Sequence, residues 1–279
     1  MVYSLGIMQG RLTPSRGRGI QFFPFDTWEN EFRDAVKIGL NEIEFIFDFD
    51  RYSENPLWSD LGIVRINNLI LETGIKVNHI CADFFMRRPF FRVDTAIRME
   101  NCEILKQLIQ SATQIGARTI EIPLVDNSSI KTKAEEDVLI ESLRNILPFA
   151  EDYDLTITLE TDLPPQSFLS LLQKINHPLV KANYDSGNSS GLGYDPREEV
   201  TTLGTRIHNI HIKDRILGGS TVALGTGSVD FERFFQALKE TCYGGSFILQ
   251  AARGVDGDES KTIQHYMDFV STYIQKYLV

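Results

Sequence analysis

The sequence has 279 residues, 42% hydrophobic and 24% charged, enough to bury a large globular core. Asp and Glu number 38 against 28 Lys and Arg, and the formal net charge of -10 argues against binding to the phosphate backbone of nucleic acids. The three cysteines form no CxxC pair, no stretch is long enough to span a membrane, and the N-terminus lacks a signal-peptide pattern, so we expect a cytoplasmic protein with neither nucleic-acid nor membrane partners.

Short β-rich segments alternate with helical spacing along the whole chain. The eight predicted strands are LGIMQ (5–9), EIEFIF (42–47), KVNHICA (76–82), RTIEIP (118–123), LTITLE (155–160), LVKANYD (179–185), RIHNIHIK (206–213) and SFILQ (246–250). Helical patterns lie between them, for example over 91–116, 134–153 and 259–278, and Gly39, Gly74 and Gly116 each mark the end of one. Eight βα units in this length predict an α/β fold, a single (β/α)8 TIM barrel that forms one domain over 1–279.

Polar side chains end four consecutive strands of this predicted barrel. Helices cover the outside of every strand, so the apolar parity of each strand must face outward and the polar parity inward. This places Glu160, Asp185, His211 and Gln250 inside the barrel at its C-terminal mouth, where barrel enzymes have their active sites. Lys213 has the same parity as His211.

Two carboxylates, an imidazole and an amide oxygen form a mixed ligand set. Such a set suits Mn, Mg, Co or Zn, and a divalent ion would remove the repulsion between Asp185 and Glu160 in a shielded mouth. The sequence therefore predicts a divalent metal ion as cofactor, with Glu160, Asp185, His211 and Gln250 as ligands. The alternative is a barrel whose inward polar side chains hydrogen-bond to one another without a metal ion, with His211 bonded to Asp185 or Asn209.

Further polar residues follow the other strands. Glu44 and His79 have inward parity and are candidates to hydrogen-bond a substrate, although a role as a polar side chain that only fills the barrel is equally consistent with the sequence. Arg11, Arg215 and Arg253 follow three strands and are predicted above the mouth, where a guanidinium suits a phosphate or carboxylate. The alternative for each arginine is a salt bridge at the rim. Residues 16–19, RGRG, are interpreted as a mobile loop or lid.

Several motifs together carry a resemblance to a known family. Glu160 at the end of the fifth strand, YDSGN (184–188), HIKDR (211–215) and GIMQGRL (6–12) resemble the xylose-isomerase-like barrel superfamily of sugar phosphate isomerases and epimerases. The resemblance implies that Glu160, Asp185 and His211 are metal ligands. Gln250 stands where ketose 3-epimerases of the superfamily have a glutamate, and Asn188, a candidate substrate ligand, stands where they often have a histidine.

The predicted function is a divalent-metal-dependent isomerase or epimerase that acts on a sugar or sugar phosphate through an enediolate. Glu160 is the predicted base; because Gln250 cannot be a second base, either one base serves an isomerisation or Lys213 or Glu121 completes an epimerase. Alternatives are a dehydratase or lyase on the same barrel and a non-catalytic sugar-binding barrel. An apurinic-endonuclease-like phosphodiesterase is disfavoured by five histidines and the charge of -10. Assembly into a homo-oligomer is left open.

Overall fold

The strands of the protein form a closed parallel barrel. The structure is a computed structural model that describes residues 3–279. Its strands are β1 (Leu5–Met8), β2 (Glu42–Ile46), β3 (His79–Cys81), β4 (Thr119–Leu124), β5 (Thr156–Thr161), β6 (Val180–Asp185), β7 (Ile207–Ile212), β8 (Asp214–Arg215), β9 (Thr221–Val222) and β10 (Ser246–Leu249). The barrel runs in the order β1, β2, β3, β4, β5, β6, β7 and β10, and β10 pairs back to β1. The predicted (β/α)8 TIM barrel is confirmed.

Helices connect successive strands. They are α1 (Trp28–Lys37), α2 (Asp60–Thr73), α3 (Phe84–Arg87), α4 (Thr95–Gln114), α5 (Lys133–Asp152), α6 (Pro165–Ile175), α7 (Ser186–Leu192), α8 (Pro196–Leu203), α9 (Phe231–Glu240) and α10 (Glu259–Tyr277). Gly39, Gly74 and Gly116 follow α1, α2 and α4 with φ of +84°, +73° and +81°. Glycine adopts this left-handed conformation without a steric penalty, so each ends its helix where the sequence predicted.

The core lies on the outside of the barrel, under the helices. Helix α9 is capped by Asp230, whose side chain accepts from the backbone N–H of Arg233, and its phenylalanines recur on one face. Phe234 stacks on Tyr184 of β6 with ring centroids 5.4 Å apart, and both are buried. Fully burying one such side chain contributes roughly 1.5–3 kcal/mol, so packing of this kind holds the strands that carry the polar groups.

Contacts between Cα atoms divide the chain into two units. The first comprises Met1–Glu44, Thr73–Lys76 and Ala182–Val279, and the second comprises Phe45–Glu72 and Val77–Lys181. The prediction that residues 1–279 form one domain stays a prediction. No helix among residues 3–279 is long and apolar enough to cross a membrane.

A two-stranded hairpin follows β7 and was not predicted. Strands β8 and β9 pair antiparallel, with Asp214 opposite Val222 and Arg215 opposite Thr221. The buried carboxylate of Asp214 accepts hydrogen bonds from the backbone N–H groups of Gly225, Gly227 and Val229, at 2.9, 2.9 and 3.1 Å. This carboxylate ties the glycine-rich segment 223–229 to the hairpin, and the hairpin fixes the chain on which Lys213 and Arg215 lie.

Candidate active site

His211 lies at the centre of a buried hydrogen-bonded chain. Its Nε2 is 2.8 Å from Oε2 of Glu44, and its Nδ1 is 3.1 Å from Nδ2 of Asn183; none of the three side chains is more than 1% exposed. The amide nitrogen of Asn183 can only donate, so Nδ1 is the acceptor and Nε2 carries the proton toward Glu44. A carboxylate that fixes the tautomer in this way is the usual outer partner of a metal-binding histidine. A metal ion at Nδ1 would take the place of the hydrogen bond to Asn183.

Asp185 is the strand partner of His211 and ends β6. Its Oδ1 accepts from the backbone N–H groups of Gly187 and Asn188, both at 2.8 Å, and so caps the N-terminus of α7. Its Oδ2 accepts from Nζ of Lys213 at 3.1 Å. A Cβ on Gly187 would lie 2.6 Å from Cγ of Lys213, so only glycine allows the lysine stem to pass here. One carboxylate thus orders a helix and binds a cation.

Lys213 bridges the ends of β6 and β10. In addition to Asp185, its ammonium contacts Oε1 of Gln250 at 2.8 Å. Nε2 of Gln250 in turn donates to Oε1 of Gln21 at 3.0 Å, and Arg11 donates from its Nη2 to the same oxygen at 3.3 Å. The two oxygens that flank Lys213 therefore attract positive charge, and a lysine ammonium supplies it in this structure.

Arg215 lies on the hairpin above this group. Its Nη1 donates to Oδ1 of Asn188 at 3.1 Å, and its Nε and Nη2 donate to the carbonyl oxygen of Gly219 at 3.2 and 2.9 Å. Both acceptors, the amide oxygen of Asn188 and the carbonyl oxygen of Gly219, are uncharged. Two residues predicted to bind substrate, Asn188 and Arg215, are therefore brought together, and neither of these acceptors neutralises the charge of the guanidinium.

Arg11 and Arg253, the other two arginines predicted above the mouth, hold the first loop of the barrel. Arg11 donates to the carbonyl oxygens of Ala251 at 3.0 Å and Ile20 at 2.5 Å and is 3% exposed. Arg253 donates to the carbonyl oxygens of Ile20 and Thr13, both at 2.9 Å. Whether either arginine also binds an anionic substrate stays a prediction.

Glu31 anchors the start of the same loop. This buried carboxyl accepts from the backbone N–H groups of Gly10 at 2.9 Å and Leu12 at 3.0 Å. Burial raises its pKa to about 7, although the two backbone hydrogen bonds and the charge of Arg253 act in the opposite direction. The sequence pattern did not single out Glu31, because a glutamate in the first turn of a helix is ordinarily exposed.

Glu160, Glu121 and His79 are all buried on the inner face of their strands. Glu160 lies on β5 opposite Pro123, and Glu121 lies on β4 between Cys81 and Thr158. His79 begins β3 and is 5% exposed. Its contact with a substrate, like that of the fully buried Glu44, stays a prediction.

Two groups of buried side chains are suited to hold a metal ion. Glu160, Asp185 and His211 each offer a ligand atom, and these atoms lie within 4.8 Å of one another. Glu44, Glu121 and His211 meet the same criterion. The first group is the set that the sequence predicted, apart from Gln250, whose oxygen contacts Lys213. The assignment of these four residues as ligands stays a prediction.

The family model for the xylose isomerase-like TIM barrel matches residues 32–272. Among curated proteins, the L-ribulose-5-phosphate 3-epimerase UlaE of Shigella flexneri is 26% identical over 264 residues, which cover 90% of this chain and 91% of the relative. The enzyme of the same name from Escherichia coli K12 is 26% identical over 265 residues, with the same coverage. The predicted resemblance to sugar isomerases and epimerases is confirmed.

Solved structures show the same fold. D-psicose 3-epimerase from Clostridium cellulolyticum H10 superposes with a TM-score of 0.78 at 16% identity, over 97% of this chain and 99% of that one. The IolI protein with a bound zinc atom superposes with a TM-score of 0.76 at 18% identity, over 98% and 99%. The barrel, the order of its strands and the family match agree, and the chain belongs to the xylose isomerase-like TIM barrel family.

Proposed function

We propose that this protein is a divalent-metal-dependent epimerase or isomerase of a ketose or ketose phosphate. The observation that carries the proposal is the group formed by Glu160, Asp185 and His211, three buried side chains whose ligand atoms lie within 4.8 Å of one another. Two comparisons also support the proposal. The similar UlaE proteins are L-ribulose-5-phosphate 3-epimerases, and a structural neighbour contains zinc.

The donor set fits a divalent ion of the Mn, Mg, Co or Zn type. Two carboxylates and one imidazole are ligands that these metals share, and Glu44 orients His211 as such a ligand requires. The ammonium of Lys213 between Asp185 and Gln250 acts as a stand-in cation, which supports the same conclusion. When bound, the ion would polarise the sugar carbonyl and ease loss of a proton from the neighbouring carbon.

The remaining steps of the proposed reaction are assigned to individual side chains. In the proposal, the carboxylate of Glu160 accepts the proton from the carbon next to the carbonyl. Lys213 is the group that returns a proton on the opposite face in an epimerase, because Gln250 has an amide where a second carboxylate would serve. Arg215 and Asn188 orient the far end of the sugar. In an isomerase Glu160 alone would return the proton to the same face.

The test is exchange of a substrate C–H with solvent deuterium. The purified protein with Mn²⁺ is incubated in deuterated buffer with D-psicose, L-ribulose and L-ribulose 5-phosphate, and exchange and new epimers are followed by proton NMR. We expect exchange with the unaltered protein and none with Glu160→Gln. The matched control is Glu103→Gln, which changes an exposed glutamate on α4.

The outcomes separate the alternatives. Exchange at C3 with formation of the 3-epimer supports an epimerase, and exchange with aldose formation supports an isomerase. Exchange by Glu160→Gln at the unaltered rate would contradict the role of Glu160 and make Lys213 or Glu121 the next candidate base. Absence of exchange with every ketose, together with absence of Mn²⁺ binding, would contradict the proposed function.

A further inference from the structure

The amide of Gln250 contacts a hydrogen-bond donor at its oxygen and a hydrogen-bond acceptor at its nitrogen. Nζ of Lys213 lies 2.8 Å from Oε1, and Oε1 of Gln21 lies 3.0 Å from Nε2. An ammonium can only donate, so it requires the oxygen of Gln250. An amide oxygen can only accept, so Gln21 requires the NH₂ group. Both neighbours select the same orientation of the amide.

Gln21 is itself held in place. Arg11 donates from Nη2 to Oε1 of Gln21 at 3.3 Å, and this guanidinium is fixed by the carbonyl oxygens of Ala251 and Ile20. Arg253 donates to the same carbonyl of Ile20, the residue before Gln21. The guanidinium of Arg11 cannot accept a hydrogen bond, so the end of Gln21 that it contacts must be the oxygen. The order of donors and acceptors is thus set from Arg11 through Gln21 to Gln250.

We propose that Gln21 is a positioning residue that turns the oxygen of Gln250 toward the cation site; the inference rests on the proposed metal-dependent function. A flipped Gln250 amide would place NH₂ against the ammonium of Lys213 and oxygen against the oxygen of Gln21. Both contacts would be repulsive. With Gln21 in place, an amide that could present either end presents an acceptor to any cation bound at Asp185.

The inference links two sequence features that are far apart. A glutamate at position 250 would present an oxygen in both directions and would need no orienting partner. It would also meet the oxygen of Gln21 with a second acceptor, so Gln21 would have to turn its own NH₂ toward it and give up the contact with Arg11. Gln21 is therefore matched to glutamine at position 250 and not to the carboxylate.

The experiment measures Mn²⁺ affinity by isothermal titration calorimetry with the full chain. Gln21→Met keeps the length of the side chain but has no oxygen to accept from Nε2, and loss of an outer partner of this kind typically weakens metal binding by roughly 10- to 100-fold. Gln21→Glu keeps the acceptor and is expected to bind Mn²⁺ at least as tightly as the unaltered protein. Gln264→Met, at an exposed glutamine on α10, is the matched control.

The same substitution is then made in a Gln250→Glu background. We expect Gln21→Met to change Mn²⁺ affinity less than about threefold there, because the carboxylate needs no orientation. Equal weakening in both backgrounds would show a general structural effect and would overturn the inference. So would weakening by Gln21→Glu as large as that by Gln21→Met, or no weakening by Gln21→Met. Absence of Mn²⁺ binding by the unaltered protein would instead overturn the proposed metal site, and the inference with it.

Discussion

Lys213 donates a hydrogen bond from Nζ to Oε1 of Gln250 over 2.8 Å, and the same ammonium contacts Oδ2 of Asp185 at 3.1 Å. A divalent ion that approaches these two oxygens has to displace the ammonium. The stem of Lys213 lies so close to Gly187 that a Cβ at that position would come within 2.6 Å of its Cγ. Lys213 and a bound metal ion therefore compete for the same acceptors.

Lys213→Met is accordingly expected to raise Mn²⁺ affinity by about tenfold, the equivalent of about 1.4 kcal/mol. The reason is that methionine fills the same space without a charge that must be displaced. Calorimetric titration at fixed ionic strength measures the change, with Lys239→Met at an exposed position as the control. If Lys213 also supplies a proton, turnover falls in the variant that binds metal more tightly. Weaker Mn²⁺ binding by Lys213→Met would contradict the competition.

His211→Ala is expected to destabilise the protein by roughly 3 kcal/mol, in addition to any loss of metal binding. His211 has no exposed surface, and its removal leaves the fully buried Glu44 without its 2.8 Å partner beside a new cavity. Urea unfolding at neutral pH checks the free energy, and His265→Ala on the exposed face of α10 serves as the reference. Equal stability of the two variants would show that the contact with Glu44 contributes little.

Arg215→Ala is expected to weaken binding of a phosphorylated ketose by about tenfold while changing a neutral ketose little, since a charge-assisted hydrogen bond contributes roughly 1.5–3 kcal/mol. The three hydrogen bonds of this guanidinium go to uncharged oxygens, so its charge is available to an anion. Titration with L-ribulose 5-phosphate and with L-ribulose compares the two. Arg233→Ala, at an exposed ion pair with Asp195, is the control, and equal losses for both sugars would rule out the role.

Glu31→Gln is expected to reduce the pH dependence of stability between pH 4.5 and 7. Burial raises the pKa of Glu31 from 4.5 to about 7, so the folded protein keeps a proton that the unfolded chain releases. Stability therefore falls as the pH rises through this range, by roughly 3 kcal/mol for one group, and is level above it. Burial raises the pKa of Glu199 to about 7 as well, so the variant should keep about half of the decrease.

Urea unfolding at pH 5, 6, 7 and 8 measures this dependence. Glu54→Gln is the control, because this exposed carboxyl pairs with Arg51 and its pKa is lowered. An unchanged slope in Glu31→Gln would show that the carboxyl of Glu31 releases its proton at the same pH in both states.

The strands could be predicted because barrel strands must hide one face under helices. The alternation Asn209, Ile210, His211, Ile212 follows directly from that requirement, and the structure buries the isoleucines completely. The helix ends marked by glycine could be predicted for a related reason, because few residues other than glycine readily adopt the left-handed backbone conformation that follows a helix. These constraints are local, so they can be recognised in a single sequence.

The partners of His211 could not be predicted in the same way. Parity placed the ring inside the barrel, but the choice of Asn183 and Glu44 depends on strand register and rotamers, and Glu44 is 167 residues away. Gln21 lies in a loop without periodicity, so its contact with Gln250 could not be predicted from the alternation of polar and apolar residues. A single polar residue between Ile20 and the two phenylalanines at 22 and 23 was the only hint.

His211, Lys213 and Arg215 occupy alternate positions of an extended backbone, so their imidazole, ammonium and guanidinium groups are attached about 7 Å apart. A one-residue insertion or deletion in this stretch would reverse every side chain beyond it, turning Lys213 and Arg215 away from the candidate site and an apolar or acidic neighbour toward it. Residues 211–215 are therefore expected to change in evolution by substitution and not by insertion or deletion. The hairpin turn at residues 216–220 lies beyond this stretch, so a change in its length would leave the directions of these three side chains unaltered.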